Sequence, residues 1–183
     1  MKNETFILLD TEYTSWKGSI ERGWGRPDEF QELVQIGALK VKNLKIIEYL
    51  NILVKPKKNP TLSDYFVELT GITNKELCNK GIEFKEALKK LYKFCENYKI
   101  YSYGNDYDII YKNLKLNNIE EDKYFIWGKK YNDIKYFFKS LNIDTSKYSS
   151  GTIYKIANIN IKSKVHNALW DVKSILIAII HLI

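Results

Sequence analysis

Phe6-Ile7-Leu8-Leu9-Asp10-Thr11-Glu12 is a run of four apolar residues that ends in two carboxylates with one residue between them. The run reads as a buried strand that delivers acids to its end. Strands alternate their faces, so Asp10 and Glu12 point the same way, roughly 7 Å apart along the chain. Paired carboxylates raise each other's pKa unless a cation lies between them, and hard divalent ions with oxygen ligands suit that place. A strand ending in a solvated polar turn is the plainer alternative, and the remainder of the chain decides between them.

Working outward, Tyr13 to Glu32 holds Trp16, Trp24, Gly18, Gly23, Gly25 and Pro27 without apolar periodicity, which predicts a loop. Its two tryptophans either stack bases or sugars beside the carboxylates or fold back over the core edge. Leu33 to Val41 and Ile46 to Val54 read as two further strands joined by a short link, giving an antiparallel meander. Leu62 to Gly71 predicts a helix stopped by its glycine, and Thr73 to Glu76 opens another with a capping-box pattern. Phe84, Leu88, Leu91 and Cys95 recur at helical spacing over Ile82 to Asn97. A short strand at Ile100 to Tyr103 turns through Gly104-Asn105 into a helix reaching Leu114. Asp133 to Leu141 predicts a helix with Tyr136, Phe137 and Leu141 on one face; Gly151 to Ile156 and Asn167 to the end predict two more. Strands followed by helices alternating with strand indicate an α/β mixed sheet flanked by helices. Without internal repeat or linker, residues 1–183 are expected to form one domain.

The formal charge of +7 and the pI near 9.1 suit a polyanionic partner. That signal is discounted, because Lys, Asn, Ile and Tyr are enriched together, as A/T-rich coding produces, and the basic residues are spread along the chain. Cys78 and Cys95 have no metal-binding spacing, so free thiols in a reducing compartment are expected. The first residues do not form a signal peptide, and the apolar ending from Ile175 to Ile183 is interrupted by His181 and too short for a membrane span. A soluble, cytoplasmic protein is expected.

Two later sites join the first pair of acids. Tyr103-Gly104-Asn105-Asp106-Tyr107-Asp108 puts acids where a strand gives way to a helix. In His166-Asn167-Ala168-Leu169-Trp170-Asp171, a helix beginning at Asn167 leaves His166 in the preceding loop and Asp171 about one turn in. A fixed acid beside a mobile imidazole suits hydrolysis by an activated water.

Taken in order, Asp10-Thr11-Glu12, the aspartate after a mid-chain strand and His166-x-x-x-x-Asp171 resemble the three motifs of the DEDDh 3′–5′ exonucleases. Val54-Lys55-Pro56, Asn59-Pro60 and Leu62 to Thr73 resemble the Eri-type branch, the histone-mRNA and siRNA exonucleases, and its bacterial relatives. The resemblance spans nearly the whole chain. It implies an RNase H-like fold: a five-stranded mixed sheet, three strands antiparallel, with helices on both faces. It also implies two divalent metals, Mg²⁺ or Mn²⁺, on Asp10, Glu12, the middle aspartate and Asp171, with His166 as general base. The implied reaction takes the 3′ end of a single strand, RNA ahead of DNA, and releases nucleoside 5′-monophosphates. A DNA-directed proofreading or repair exonuclease shares these motifs, and a silent nucleic-acid-binding module would share the fold. Protein partners are not legible in the motifs, and with the last motif near the sequence end no appended RNA-binding domain is expected.

For the middle aspartate, the family's preceding aromatic favours Asp108, which follows Tyr107. The family's apolar residues three, four and eight places later favour Asp106, from which they are Ile109, Ile110 and Leu114. A buried helix face is harder to forgo than one aromatic neighbour, so Asp106 is preferred and Asp108 kept as the alternative.

Overall fold

The computed structural model describes residues 1–120, 130–159, 161 and 165–183. Five strands form one sheet: β1 (Thr5–Tyr13), β2 (Leu33–Lys42), β3 (Lys45–Leu53), β4 (Lys99–Ser102) and β5 (Tyr131–Asp133), in the order β3-β2-β1-β4-β5. The first three are antiparallel, with Asp10 opposite Gly37 and Glu12 opposite Gln35. β4 and β5 join the far side in parallel, Leu8 lying opposite Tyr101. This is the mixed RNase H-like sheet expected from the motifs. Among the described residues, six α-helices pack around it: α1 (Asp64–Thr70), α2 (Asn74–Lys80), α3 (Phe84–Cys95), α4 (Asp106–Leu116), α5 (Ile134–Ser140) and α6 (Ala168–Leu182).

β1 shows how the alternation of a strand builds two cores. Ile7 and Leu9 pack with Phe84, Leu88 and Leu91 of α3 and with Ile109, Ile110 and Leu114 of α4. Phe6 and Leu8 face the other way, onto Ile134 and Phe138 of α5 and Val172, Ile175 and Ile179 of α6. Asp10 and Glu12 continue the Phe6–Leu8 parity, so they emerge on the face that α6 covers.

Local signals place the helix ends. Ser63 caps α1 by accepting the Phe66 N–H at 3.0 Å, and Gly71 closes it in the left-handed region at φ 74. Thr73 caps α2 through the Glu76 N–H at 3.1 Å. The expected helix over 151–156 is a 3₁₀ turn, Ile153–Ala157. On α5 the buried residues are Ile134 and Phe138, four apart, whereas Tyr136 and Leu141 are exposed. The expected Tyr136–Phe137–Leu141 face is therefore not the core face: the i, i+4 pair facing the sheet carries the burial. Among the described residues, no helix is long and apolar enough to cross a membrane.

Candidate active site

The cleft lies beyond the C-terminal ends of β1 and β4. It encloses about 250 Å³ and is bordered by Asp10, Glu12, Asp106, His166 and Asp171. Asp10, Glu12 and Asp171 each bring a carboxylate oxygen within 4.8 Å of the others. The reason is local: β1 alternation aims the first two acids at α6, and Asp171 lies in the first turn of that helix. Asn167 starts α6 by accepting the Trp170 N–H at 3.2 Å. His166 stands one residue before this cap, half-buried and at φ 63. That left-handed backbone is costly for a non-glycine residue and turns the chain sharply beside the acids.

Asp106 enters from the other side. The parallel pairing of β1 with β4 runs only to Leu8 and Tyr101, after which the chain leaves the sheet into α4. Asp106, at the start of α4, takes up the donors of Thr11: its Oδ1 accepts from the Thr11 N–H at 2.8 Å and from the Thr11 hydroxyl at 2.7 Å. Asp106 borders the cleft but is not in the three-acid group. Asp108, two residues on, is exposed and lines a separate hollow. Of the two candidates for the middle acid, only Asp106 lies in the cleft.

The tryptophans also separate. Trp24 borders the cleft, its indole N–H donating to the Thr14 carbonyl at 2.9 Å and its ring 5.5 Å from that of Tyr13. Trp16 is half-buried, its backbone N–H donating to Ser19 Oγ at 3.1 Å, and it is not among the residues bordering the cleft.

Crowded, buried acids behave as electrostatics requires. Burial, then the charges of Asp106, Asp171 and Glu12, raise the Asp10 pKa well above the usual carboxylate range. Glu12 is raised by burial and by Asp171 and Asp106. Burial lifts Asp171 to about 7, and lifts Asp106 to about 6 against the hydrogen bonds from Thr11 and Ser102. Desolvation lowers the His166 pKa, which favours the neutral imidazole.

Asp171 Oδ1 is buried and has no hydrogen-bond partner. A buried carboxylate oxygen left without a partner on a member of a group of acids is costly unless something positive meets it. An all-oxygen donor set of this kind fits a hard divalent cation.

Several residues that hold this arrangement escaped the sequence reading. Ser150 Oγ donates to Asp171 Oδ2 at 2.9 Å. A Cβ on Gly151 would stand 2.6 Å from Asp171 Oδ1, so only glycine fits there. Gln35 Oε1 accepts the Ala168 N–H at 3.0 Å, fixing the start of α6. Glu32 accepts the backbone N–H groups of Lys57, Lys58 and Asn59 at 2.7, 2.9 and 2.6 Å, which makes it a loop staple. A glutamine inside the apolar strand Val34-Gln35-Ile36 was the one available signal, since a buried amide needs partners.

The RNase_T family model, described as exonuclease, matches residues 7–179. A PolC-type DNA polymerase III of Thermotoga petrophila is 28% identical over 172 residues, covering 94% of this chain and 11% of that protein. The probable 3′-5′ exonuclease KapD of Bacillus subtilis is 25% identical over 122 residues, covering 65% of this chain and 57% of KapD. The chain spans at most 11% of the length of the PolC-type polymerases it matches. Among solved structures, the nuclease domain of 3′hExo, a DEDDh family member bound to rAMP, superposes with a TM-score of 0.78 at 21% identity. That match covers 95% of this chain and 88% of the other.

Proposed function

The chain belongs to the RNase_T exonuclease family, and from that premise we propose that it is a metal-dependent 3′–5′ exonuclease of single-stranded nucleic acid, of the DEDDh type. The observation that carries the proposal is the Asp10–Glu12–Asp171 group, its two aspartates buried and Glu12 half-buried, with its orphaned Asp171 oxygen, beside His166 at the end of the central strand.

Asp10, Glu12 and Asp171 would hold divalent cations, Mg²⁺ or Mn²⁺, with Asp106 completing the set across the cleft. When bound, two such ions supply Lewis-acid activation of water and stabilise charge on the leaving oxygen. The residues of the chain do the rest. His166, kept neutral by desolvation, accepts the proton of the attacking water. Water adds to the terminal phosphorus, the bond to the 3′ oxygen of the preceding nucleotide breaks, and a nucleoside 5′-monophosphate leaves. Thr11 and Ser150 hold Asp106 and Asp171 in place through this step. Trp24 offers the terminal nucleotide an aromatic wall; Trp16 would act only by supporting the loop.

RNA is the favoured substrate, supported by the Eri-type likeness of residues 54–73 and by the rAMP held by 3′hExo. The PolC-type relatives favour DNA as the second reading. Residues 1–183 form one exonuclease domain in this account. The free cysteines Cys78 and Cys95 fit a cytoplasmic setting. The test is incubation with 5′-labelled RNA and DNA of one sequence, with Mg²⁺, Mn²⁺ or EDTA. A metal-dependent ladder shortening from the 3′ end supports the proposal, and relative rates name the substrate class. Intact strands bound without cleavage would replace the enzyme with a binding module.

A further inference from the structure

The cleft does not end at Trp24. A hollow of about 500 Å³ adjoins it, sharing Tyr13, Trp24, Asn105 and Ile109 with the cleft wall. A second hollow of about 420 Å³ continues from there, sharing Trp24, Gln31, Lys112 and Lys115 with the first. Together they make a trough along the exposed side of α4, with Trp24 bordering all three spaces. Trp24 is a fixed wall, held by its hydrogen bond to Thr14, its contact with Tyr13 and a left-handed backbone at φ 55.

We propose that this trough binds the nucleotides 5′ of the scissile bond, with Lys112 and Lys115 taking their phosphates and Trp24 standing between the terminal nucleotide in the cleft and the base that precedes it. The inference rests on the exonuclease reading of the cleft and adds a path for the rest of the strand. Lys112 and Lys115 are exposed and one helical turn apart. Lys112 Nζ donates to the neutral Gln31 side chain, and Lys115 Nζ lies 4.5 Å from the centre of the Tyr111 ring. Among the described residues, neither forms an ion pair.

The alternative exit is a larger cavity of about 650 Å³ beyond Leu69. Its lysines are already neutralised: Lys80 pairs with Glu76 at 3.0 Å and Lys90 with Glu86 at 2.9 Å. Charge therefore favours the α4 side. The trough carries two acids as well. Glu29 is paired with Arg22, whereas the exposed carboxylate of Asp108 opposes phosphate there.

Two measurements test this on the full chain. The first compares hydrolysis of a dinucleotide with that of a decanucleotide of RNA. The second follows decanucleotide binding by fluorescence anisotropy in EDTA across a range of salt. Lys112→Ala/Lys115→Ala should leave the dinucleotide rate within about twofold. It should weaken decanucleotide binding roughly tenfold or more at ~0.1 M salt and reduce the salt slope by about 1.4, the value for two single-strand phosphate contacts. Asp108→Asn should move decanucleotide binding the opposite way and leave the dinucleotide rate unchanged. Parallel losses on both substrates, or decanucleotide binding and slope equal to wild type, would overturn the proposal. If wild type hydrolyses neither substrate, the exonuclease reading fails, and the anisotropy arm still decides the trough by itself.

Discussion

Thr11 grips one oxygen of Asp106 with both its N–H and its hydroxyl, while Asp108 meets solvent two residues later. The difference is set by where β4 stops, and it separates the two acids by experiment. Asp106→Asn should lower hydrolysis at least about a hundredfold, about 2.7 kcal/mol of lost transition-state stabilisation. Asp108→Asn should retain the wild-type rate on short substrates; equal losses in the two variants would reverse the assignment. His166→Ala should slow turnover by roughly 10²–10⁴ while leaving oligonucleotide affinity nearly unchanged. Loss of affinity in the same proportion would argue against a general base. Asp10, Glu12, His166 and Asp171 were legible because they sit in short motifs with local spacing. Thr11 and Gln35 as supports were not, since their partners lie 95 and 133 residues away in the chain.

At the scale of elements, the site depends on how closely α6 approaches β2. A Cβ on Gly37 would stand 2.3 Å from the carbonyl carbon of Ala168 and 2.4 Å from the N of Leu169. Gly37 is opposite Asp10 in the sheet, so the same bare backbone that admits α6 sets the distance from Asp171 to Asp10. Gly37→Ala should cost about 1–3 kcal/mol by overpacking against rigid backbone and should reduce activity along with stability. Urea unfolding with parallel rate measurements checks it; unchanged values in both would mean that α6 docks with slack. Most elements were legible from periodicity and punctuation: the capped pair α1 and α2, the α3 face and the β1–β3 meander. β5 was not located, because Tyr131–Asp133 is three residues without apolar alternation and takes its place only by pairing with β4. The α5 face was misread because adjacent aromatics, Tyr136 to Phe138, offer more than one apolar stripe.

For the whole molecule, gathering acids in one cleft ties stability to pH and to cations. Asp106 and Asp171 titrate at about 6 and about 7 in the fold against a usual 3.8, so the folded chain holds protons that the unfolded chain releases. Their protonation favours the fold fully below pH 3.8, and the advantage is lost as pH rises through about 6 and about 7. A divalent cation held by these acids would replace the missing protons. Mn²⁺ should therefore raise the melting temperature more at about pH 8 than at about pH 5, where protons compete for the same oxygens. An equal shift at both values would mean the cation binds elsewhere. The parity of β1, which aims Asp10 and Glu12 at α6, is what joins the fold to this chemistry, and it was readable from seven residues of sequence. The most direct test of the account is the hydrolysis rate of Asp10→Asn on 5′-labelled RNA with Mn²⁺, measured beside its melting temperature. The rate should be at least about a thousandfold lower, about 4 kcal/mol, with a metal-free melting temperature at or above wild type, since one of the crowded charges is gone. A correctly folded variant that still shortens RNA at the wild-type rate would contradict it.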